Sequence, residues 1–552
     1  EVVLAQSDPD MDSVPAEMLR EQDYLVCIGG NTPDESYLNA LSVIRVAEQE
    51  GVDSLHPGIG FLSENASFNQ LCRNHNLNFI GPSVANMERM GNKSNAIATA
   101  RRCNVPVVPG SLGILANAES ATQIAANIGY PVLIKAVHGG GGKGIQVVEK
   151  PEDFVEIYHR ISAEARAAFG NGDLYLEKYV TSLRHVEIQI LRDHYGNTKV
   201  LGLRDCSVQR NNQKVFEEST STMLPRDMEE QLYTYAESLA DEINYIGAGT
   251  VEFIFDLLNN TLYFMEMNTR LQVEHPVTEL VTNTDIVARQ FDIAAGGSIA
   301  DLVVNPEGYA MEVRVTAEKA TIAKDGTLSF VPNPGDITEY HLPENAHVKV
   351  ISMIDEGKSI SPYYDSLIMQ IIAYGPDRNS TMDTLYDYLG EMKISGVCTN
   401  IPVLRKIIKD DIFIKGDYDT NYLEGFFQRT DHEALIKEIE EASGENQGGI
   451  DISNLQIEGS DEIKVLSPQA GVFYLSPSPA EPDFVKVGDE VNLEQTLCLL
   501  EAMKLFTSLN LTTFNKDHAL YSSASYTLVR TVPVSGQAVN KGDLLFVLKP
   551  VS

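Results

Sequence analysis

Two carboxylates flanking an apolar hairpin are the first residues whose spacing could do chemistry. Val251–Phe255 and Leu262–Met267 bracket Asn259-Asn260, a two-residue turn signal. Glu252 lies about as far before that turn as Glu266 lies after it. The spacing predicts an antiparallel register in which both glutamates face one side, while Val251, Phe253 and Phe255 face the core. Two facing carboxylates repel, and one must stay protonated unless a cation relieves the conflict. Mg²⁺ suits the position, because it takes one or two carboxylates together with phosphate oxygens. Asn268 shares the Glu266 face and adds a neutral oxygen. The bland alternative is a pair of solvated surface glutamates. Directly afterwards, Arg270, Gln272 and Glu274 put a cation, an amide and a carboxylate at alternate positions. The three can converge on one small anion; ordinary surface charge patterning is the alternative.

A second cluster follows a buried strand. Tyr130-Pro131-Val132-Leu133-Ile134-Lys135 runs into His138-Gly139-Gly140-Gly141-Gly142-Lys143-Gly144. Consecutive glycines let backbone N–H groups approach phosphate oxygens without a side chain in the way. Lys135 and Lys143 bracket the loop with positive charge. The GxxxxGK[ST] spacing of a Walker loop is absent, and so is GxGxxG. A glycine run alone is often only a flexible loop, but the two lysines point to a nucleotide triphosphate.

These residues need a scaffold, and the chain supplies several. Its 552 residues suggest three or four domains. Apolar residues make up 43% and aromatics 8%, a normal globular mix. Residues 1–90 alternate strand and helix patterns, the mark of an α/β layer. Residues 174–270 are strand-rich, with period-2 alternation in His185–Ile190 and Val251–Phe255. Residues 431–460 hold eight acids against one lysine, with Gly, Ser, Asn and Gln in the middle. That is linker composition, with room for one short helix at 433–442. From Ile463 to Leu548 short strands alternate with turn residues, so a small all-β unit closes the chain.

Charge excludes some partners. Lys and Arg number 42 against 78 Asp and Glu, a formal net charge of −36. Duplex DNA binders gain affinity by neutralising phosphates, and docking on anionic lipid also needs basic patches, so no nucleic acid and no membrane are expected as partners. No apolar run is long enough to span a bilayer. The six cysteines are dispersed without a CxxC, which favours reduced thiols and a cytoplasmic location over a disulfide framework or zinc site. No signal-peptide pattern is visible at Glu1, where the chain begins abruptly in strand-like sequence.

Several motifs together carry a family. Glu266-Met267-Asn268-Thr269-Arg270-Leu271-Gln272-Val273-Glu274-His275-Pro276 resembles the signature of biotin carboxylases, in the ATP-grasp superfamily. So do the run from His56 to Asn65, the glycine loop, and Arg204-Asp205-Cys206-Ser207-Val208-Gln209. The resemblance covers residues 1 to about 427. The family's first strand and helix would precede Glu1, so a truncated start is expected. Leu499-Leu500-Glu501-Ala502-Met503-Lys504-Leu505 resembles the attachment site of biotin carboxyl carrier domains, with Lys504 as the biotinylated residue. Ser476–Asp483 is similar to the protruding thumb of the acetyl-CoA carboxylase type of carrier.

The resemblance implies an α/β and α+β multidomain chain. Residues 1–85 are expected as an N-terminal α/β domain, 86–295 as the ATP-grasp domain with its glycine-loop lid, and 296–427 as a C-terminal domain. An acidic linker at 428–461 and a flattened-barrel biotinyl domain at 462–552 would follow. It also implies a reaction: bicarbonate attacks the γ-phosphate of MgATP, and the activated carboxyl group passes to tethered biotin. By resemblance, Lys93, Lys135 and Gly139, Gly140, Gly141 and Gly142 hold the phosphates near His185, with Gln209 and Lys214 as further candidates. Glu177, Lys178 and Val180 line the adenine pocket. Glu252, Glu266 and Asn268 hold Mg²⁺ (or Mn²⁺), while Arg270, Gln272 and Val273 cradle bicarbonate. Glu274 acts as general base, held close by Arg270, and Arg314 stabilises the enolate form of biotin. Biotin protein ligase, a separate carboxyltransferase subunit and a second copy of the carboxylase part are the implied partners.

Some positions depart from the family. Arg210-Asn211-Asn212-Gln213-Lys214 stands where Arg-Arg-His-Gln-Lys is usual, Ile59 replaces a common Tyr, and Met369-Gln370 replaces a Gly/Ala-Lys pair. The stretch 507–526 is longer than usual and should hold an extended hairpin or loop. The leading reading is the carboxylase and carrier subunit of an acyl-CoA carboxylase. A keto-acid carboxylase, such as one for pyruvate, is the enzymatic alternative, and an inactive biotin-presenting scaffold the non-enzymatic one.

Overall fold

The computed structural model describes residues 1–551 except 112, 138–143, 170, 324, 445–460, 479–480, 504 and 515–524. The glycines 139–142, Lys143, Lys504, residues 445–460 of the expected linker and residues 515–524 of the 507–526 stretch therefore lie outside the described residues. The chain divides into two compact units, one of residues 53–309 with 416–422, the other of 1–52, 310–415 and 423–552.

The first unit is built on antiparallel strands in the order Thr261–Asn268, Gly247–Asp256, Leu183–Arg192, Thr198–Arg210 and Gln213–Glu218. Alternation sorts their side chains. Val186, Ile188, Ile190, Val251, Phe253, Phe255 and Phe264 share one core. The helix Arg226–Glu242 joins that core with Leu232, Ala236, Leu239 and Ala240, a helical stripe at three- and four-residue spacing. The opposite face carries polar side chains and builds the site described below. Residues 53–85, expected with the N-terminal domain, group with this unit, where Asn78 Nδ2 donates to Ala294 O at 3.0 Å.

A smaller sheet in the same unit runs Ile145–Val148, Val132–Ala136, Leu174–Lys178. It has its own core of Val132, Ile134, Val148, Leu174 and Leu176, with Ala121, Ala125, Phe154 and Ile161 from two helices. It carries the strands on either side of the glycine run. Its third strand ends at Lys178.

In the second unit, parallel strands Val3–Gln6 and Tyr24–Cys27 precede the helix Ala40–Gln49. Strands Tyr309–Thr316, Leu367–Gly375 and Val348–Ser352 lie side by side. Gln370 is buried there, and its Nε2 donates to Glu312 Oε1 at 2.8 Å. A neutral amide thus serves a buried carboxylate at the position where the family carries a lysine.

His432–Ala442 is a helix capped by Asp431, whose side chain accepts from Ala434 N. It buries Leu435 and Ile439, and its acids are paired outward, Glu440 with Lys319 at 3.2 Å and Glu438 with Lys406 at 2.8 Å. The acidic composition marks the solvent side of this helix, which is the short helix expected at 433–442 within the segment read as linker.

The C-terminal part is the expected flattened barrel. Two four-stranded sheets, Ile463–Leu466/Leu544–Pro550/Ser525–Thr531/Glu490–Asn492 and Leu505–Leu509/Cys498–Ala502/Gly471–Tyr474/Gln537–Val539, enclose Phe473, Val491, Leu500, Tyr526, Leu528 and Phe546. One short helix, Leu511–Phe514, interrupts the all-β pattern. Cys498–Ala502 pairs with Leu505–Leu509 so that Ala502 faces Leu505. Met503 takes φ 51°, the left-handed geometry of a tight hairpin turn. The thumb-like excursion is closed at its base, where Phe484 N–H donates to Leu475 O at 2.7 Å.

Candidate active site

The site face carries one row of charges across four neighbouring strands. Arg204 pairs in register with Glu187, Glu187 with Glu252, and Glu252 with Glu266. The facing register expected for Glu252 and Glu266 is therefore present, with a bulge between Glu252 and Phe253. Three acids outnumber one arginine, and the neighbouring hairpin supplies a second cation. Asn211 and Asn212 form its turn with φ of 53° and 61°, a conformation asparagine tolerates well, and Lys214 follows. That accounts for asparagine at the position where the family carries histidine.

Lys214 is the hub. Its Nζ lies 2.6 Å from Glu187 Oε2, 2.6 Å from Glu274 Oε1 and 3.3 Å from Glu252 Oε1. Burial alone would lower the Lys214 pKa, but the surrounding anions, Glu187 and Glu274 among them, hold it well above the ordinary lysine value. Glu274 is fully buried at the N-cap of the helix His275–Thr282, yet its side chain makes no capping bond. It reaches Lys214 instead.

His185 sits between Gln209 and Glu252. Gln209 Nε2 lies 2.7 Å from Nδ1, and Glu252 Oε2 lies 3.1 Å from Nε2. Burial opposes a charge on the ring, but the Glu252 carboxylate raises the His185 pKa above the ordinary value. Arg270 Nε donates to Glu64 Oε2 at 2.9 Å, and its Nη1 donates to Gln272 Oε1 at 3.0 Å. Glu64 Oε1 accepts from Thr269 N at 2.8 Å, which pins the backbone beside the arginine. Asn268 Nδ2 and Gln272 Nε2 donate to Glu252 Oε1 at 2.8 and 3.2 Å.

The donor set fits a hard divalent cation. Glu252 and Glu266 oppose each other, and Asn268 offers an amide oxygen beside them. His185, Glu187 and Glu252 also present ligand atoms within 4.8 Å of one another, as do Glu187, Cys206 and Glu274. Burial pushes the Cys206 thiol well up.

The structure thus brings His185, Gln209, Lys214, Glu252, Glu266, Asn268, Arg270, Gln272 and Glu274 together, with the half-buried Val273 between the last two. Lys93 opens the helix Lys93–Arg102, and its charge is felt at Glu266. Lys135, Glu177 and Lys178 belong to the smaller sheet. Lys135 is ion-paired with Glu177, and Lys178 Nζ donates to Gly129 O at 2.7 Å. Val180 follows that strand and is half-buried. Arg314 lies in the second unit, on the strand Tyr309–Thr316, where its carbonyl accepts from Asn400 Nδ2 at 2.9 Å.

Sequence reading missed Glu64, Glu187 and Arg204. The signal for Glu187 was available, since it falls two residues after His185 in an alternating strand. Glu64 and Arg204 lay inside quoted motifs without an assigned role.

Comparison with known proteins matches four families in chain order. Residues 1–87 match "Biotin carboxylase, N-terminal domain", and 92–302 match "Carbamoyl-phosphate synthase L chain, ATP binding domain". Residues 312–425 match "Biotin carboxylase C-terminal domain", and 463–512 match "Biotin-requiring enzyme". Biotin carboxylase 1 of Bacillus subtilis is 44% identical over 428 residues, covering 77% of this chain and 93% of that protein. The 2-oxoglutarate carboxylase small subunit of Hydrogenobacter thermophilus is 44% identical over 413 residues, 74% of this chain and 85% of that protein. Among solved structures, a Campylobacter jejuni biotin carboxylase–β,γ-ATP complex superposes with a TM-score of 0.71 at 40% identity, covering 77% of this chain and 93% of that one.

Proposed function

The chain belongs to the biotin carboxylase family, and from that premise we propose that its Lys214–Glu274 site activates bicarbonate with ATP in the service of an acyl-CoA carboxylase. It is the carboxylase and carrier subunit of a biotin-dependent enzyme, an ATP-dependent ligase that uses biotin, ATP and Mg²⁺. The finer reading concerns which residues act and which acceptor is served.

Phosphoryl transfer needs positioning and charge neutralisation more than covalent help. Lys93, Lys135, His185, Gln209, Lys214 and the glycines 139–142 hold the phosphates, and Glu177, Lys178 and Val180 hold the adenine. Glu252, Glu266 and Asn268 hold Mg²⁺, which when bound neutralises charge on the transferring phosphate. Arg270 offers bicarbonate a planar fork, with Gln272 and Val273 beside it. Glu274 takes the bicarbonate proton as the bicarbonate oxygen bonds to the γ-phosphorus and the bond from that phosphorus to ADP breaks, ADP leaving. The observation that carries this assignment is the buried Glu274 carboxylate, turned away from its own helix and ion-paired with Lys214 at 2.6 Å. A buried carboxylate paired with a lysine is ionised and can accept a proton. Biotin attached at Lys504 would supply the ureido nitrogen that takes the carboxyl group as phosphate leaves, and Arg314 would offer its charge to the ureido oxygen.

The thumb-like excursion between Leu475 and Phe484 supports the acyl-CoA acceptor. A keto-acid acceptor is the second reading, favoured by the identity to the 2-oxoglutarate carboxylase subunit. A carboxyltransferase chain, a biotin protein ligase, self-association through the carboxylase part and a cytoplasmic location belong to the same proposal. The test is co-purification from the source, then assay of the complex with acetyl-, propionyl- and longer acyl-CoA against pyruvate and 2-oxoglutarate. Turnover of acyl-CoA alone supports the leading reading; turnover of a keto acid alone replaces it with the second.

A further inference from the structure

Arg204 ends the charged row and is fully buried. Its donors diverge. Nε binds Glu187 Oε1 at 2.6 Å, and Nη1 binds Gln189 Oε1 and Thr278 Oγ1, both at 2.9 Å. Nη2 reaches Thr250 Oγ1 at 3.3 Å. Two of these contacts lead to Glu274 by different routes. Through Glu187, Arg204 fixes the acid that holds Lys214, and Lys214 holds the Glu274 carboxylate. Through Thr278, it ties down the helix His275–Thr282, whose N-cap residue is Glu274. One planar guanidinium therefore sets both the backbone from which Glu274 projects and the cation toward which it projects.

We propose that Arg204 is a positioning residue for bicarbonate activation, a buried strut that aims the Glu274 carboxylate through Glu187–Lys214 on one side and Thr278 on the other. The proposal rests on Glu274 being the base. A misplacement of about 1 Å at a reacting group can cost on the order of 100-fold in rate. The rigid fork matters as much as the charge: lysine in its place offers one ammonium that cannot span Glu187 and Thr278 with the same geometry.

The test compares variants of the full biotinylated chain in bicarbonate-dependent ATP hydrolysis. Arg204→Met should lower kcat by roughly 10- to 100-fold, with the KM for ATP within about two-fold of the parent. Arg204→Lys should recover part of that loss. Thr278→Val, which keeps the shape and removes only the helix tie, should lower kcat several-fold without moving the melting temperature. Arg204→Met added to Glu274→Gln should cost little beyond Glu274→Gln alone, since a strut for an absent base has nothing to aim. The proposal is overturned if Thr278→Val and Arg204→Lys both keep kcat within two-fold, or if the Arg204 and Glu274 losses multiply. If Glu274→Gln itself stays active, Glu274 is not the base, and that result is distinct from failure of the strut. Should Arg204→Met not fold, Thr278→Val and the lysine variant decide.

Discussion

Glu252 and Glu266 stand opposite each other on adjacent strands, and their carboxyls are shifted in opposite directions. Burial opposes ionisation of both. At Glu252 it is overcome by His185 and Lys214, which hold the group well below the usual carboxylate range. At Glu266 burial is joined by the Glu252 charge, and the pKa rises. The outer edge of Glu266 is exposed, so solvent screens part of that shift. A raised carboxyl pKa means that the folded chain holds the proton more tightly than the unfolded chain does. Its stabilising effect is present at acid pH and is lost as pH climbs from 4.5 through the raised value. Mg²⁺ competes with that proton, so its affinity should strengthen over the same window. Calorimetric titration of Mg²⁺ from about pH 5 to about pH 8 would show this. Glu266→Gln should flatten the pH dependence and raise the half-saturating Mg²⁺ by roughly ten-fold or more.

Glu274→Gln should lower kcat for bicarbonate-dependent ATP hydrolysis by roughly 100-fold or more, the usual scale for a lost general base. The KM for ATP should hardly move. Arg270→Lys should instead raise the KM for bicarbonate, because an ammonium cannot match a planar anion at two points.

Free biotin should stimulate the ATPase, and Arg314→Ala should remove the stimulation while leaving the basal rate. Steady-state rates with and without biotin check this. An unchanged response to biotin would dissociate Arg314 from the ureido group.

Lys504→Arg should abolish streptavidin detection of the purified chain without changing its melting temperature. A surviving signal would place the biotin on another lysine.

Phe253→Ala should destabilise the carboxylase part by about 3–5 kcal/mol. The ring is fully buried, stacks edge-on with Phe264 at 6.3 Å and lies 6.4 Å from Tyr235. Denaturant unfolding measures the loss. The carrier core, built around Phe473 and Phe546, should melt as before.

Much of this was legible from residue spacing. The Glu252/Glu266 register followed from counting out from Asn259-Asn260, and the carrier barrel from short strands between turn residues. Both are local patterns with period two, which survive in sequence. What escaped was long-range. That Lys214 would meet Glu187 and Glu274 depends on which strands become neighbours, and no local pattern fixes that. The short helix expected at 433–442 is present at His432–Ala442, and what composition did not show is that Leu435 and Ile439 dock it. Arg204 was hidden because a buried arginine has no sequence signature apart from its partners.

The row from Arg204 to Glu266 has a consequence for how this enzyme can vary. Membership of the row is a matter of parity: each charged residue is where it is because of an odd or even count along its strand. A conservative substitution perturbs one contact. A single-residue deletion in the Asn259-Asn260 turn would exchange Glu266 for an apolar neighbour, and one in the Asn211-Asn212 turn would do the same to Lys214. The amino-acid composition would barely change, yet the row would lose a charge. Insertions and deletions should therefore be tolerated in pairs or not at all in these two turns.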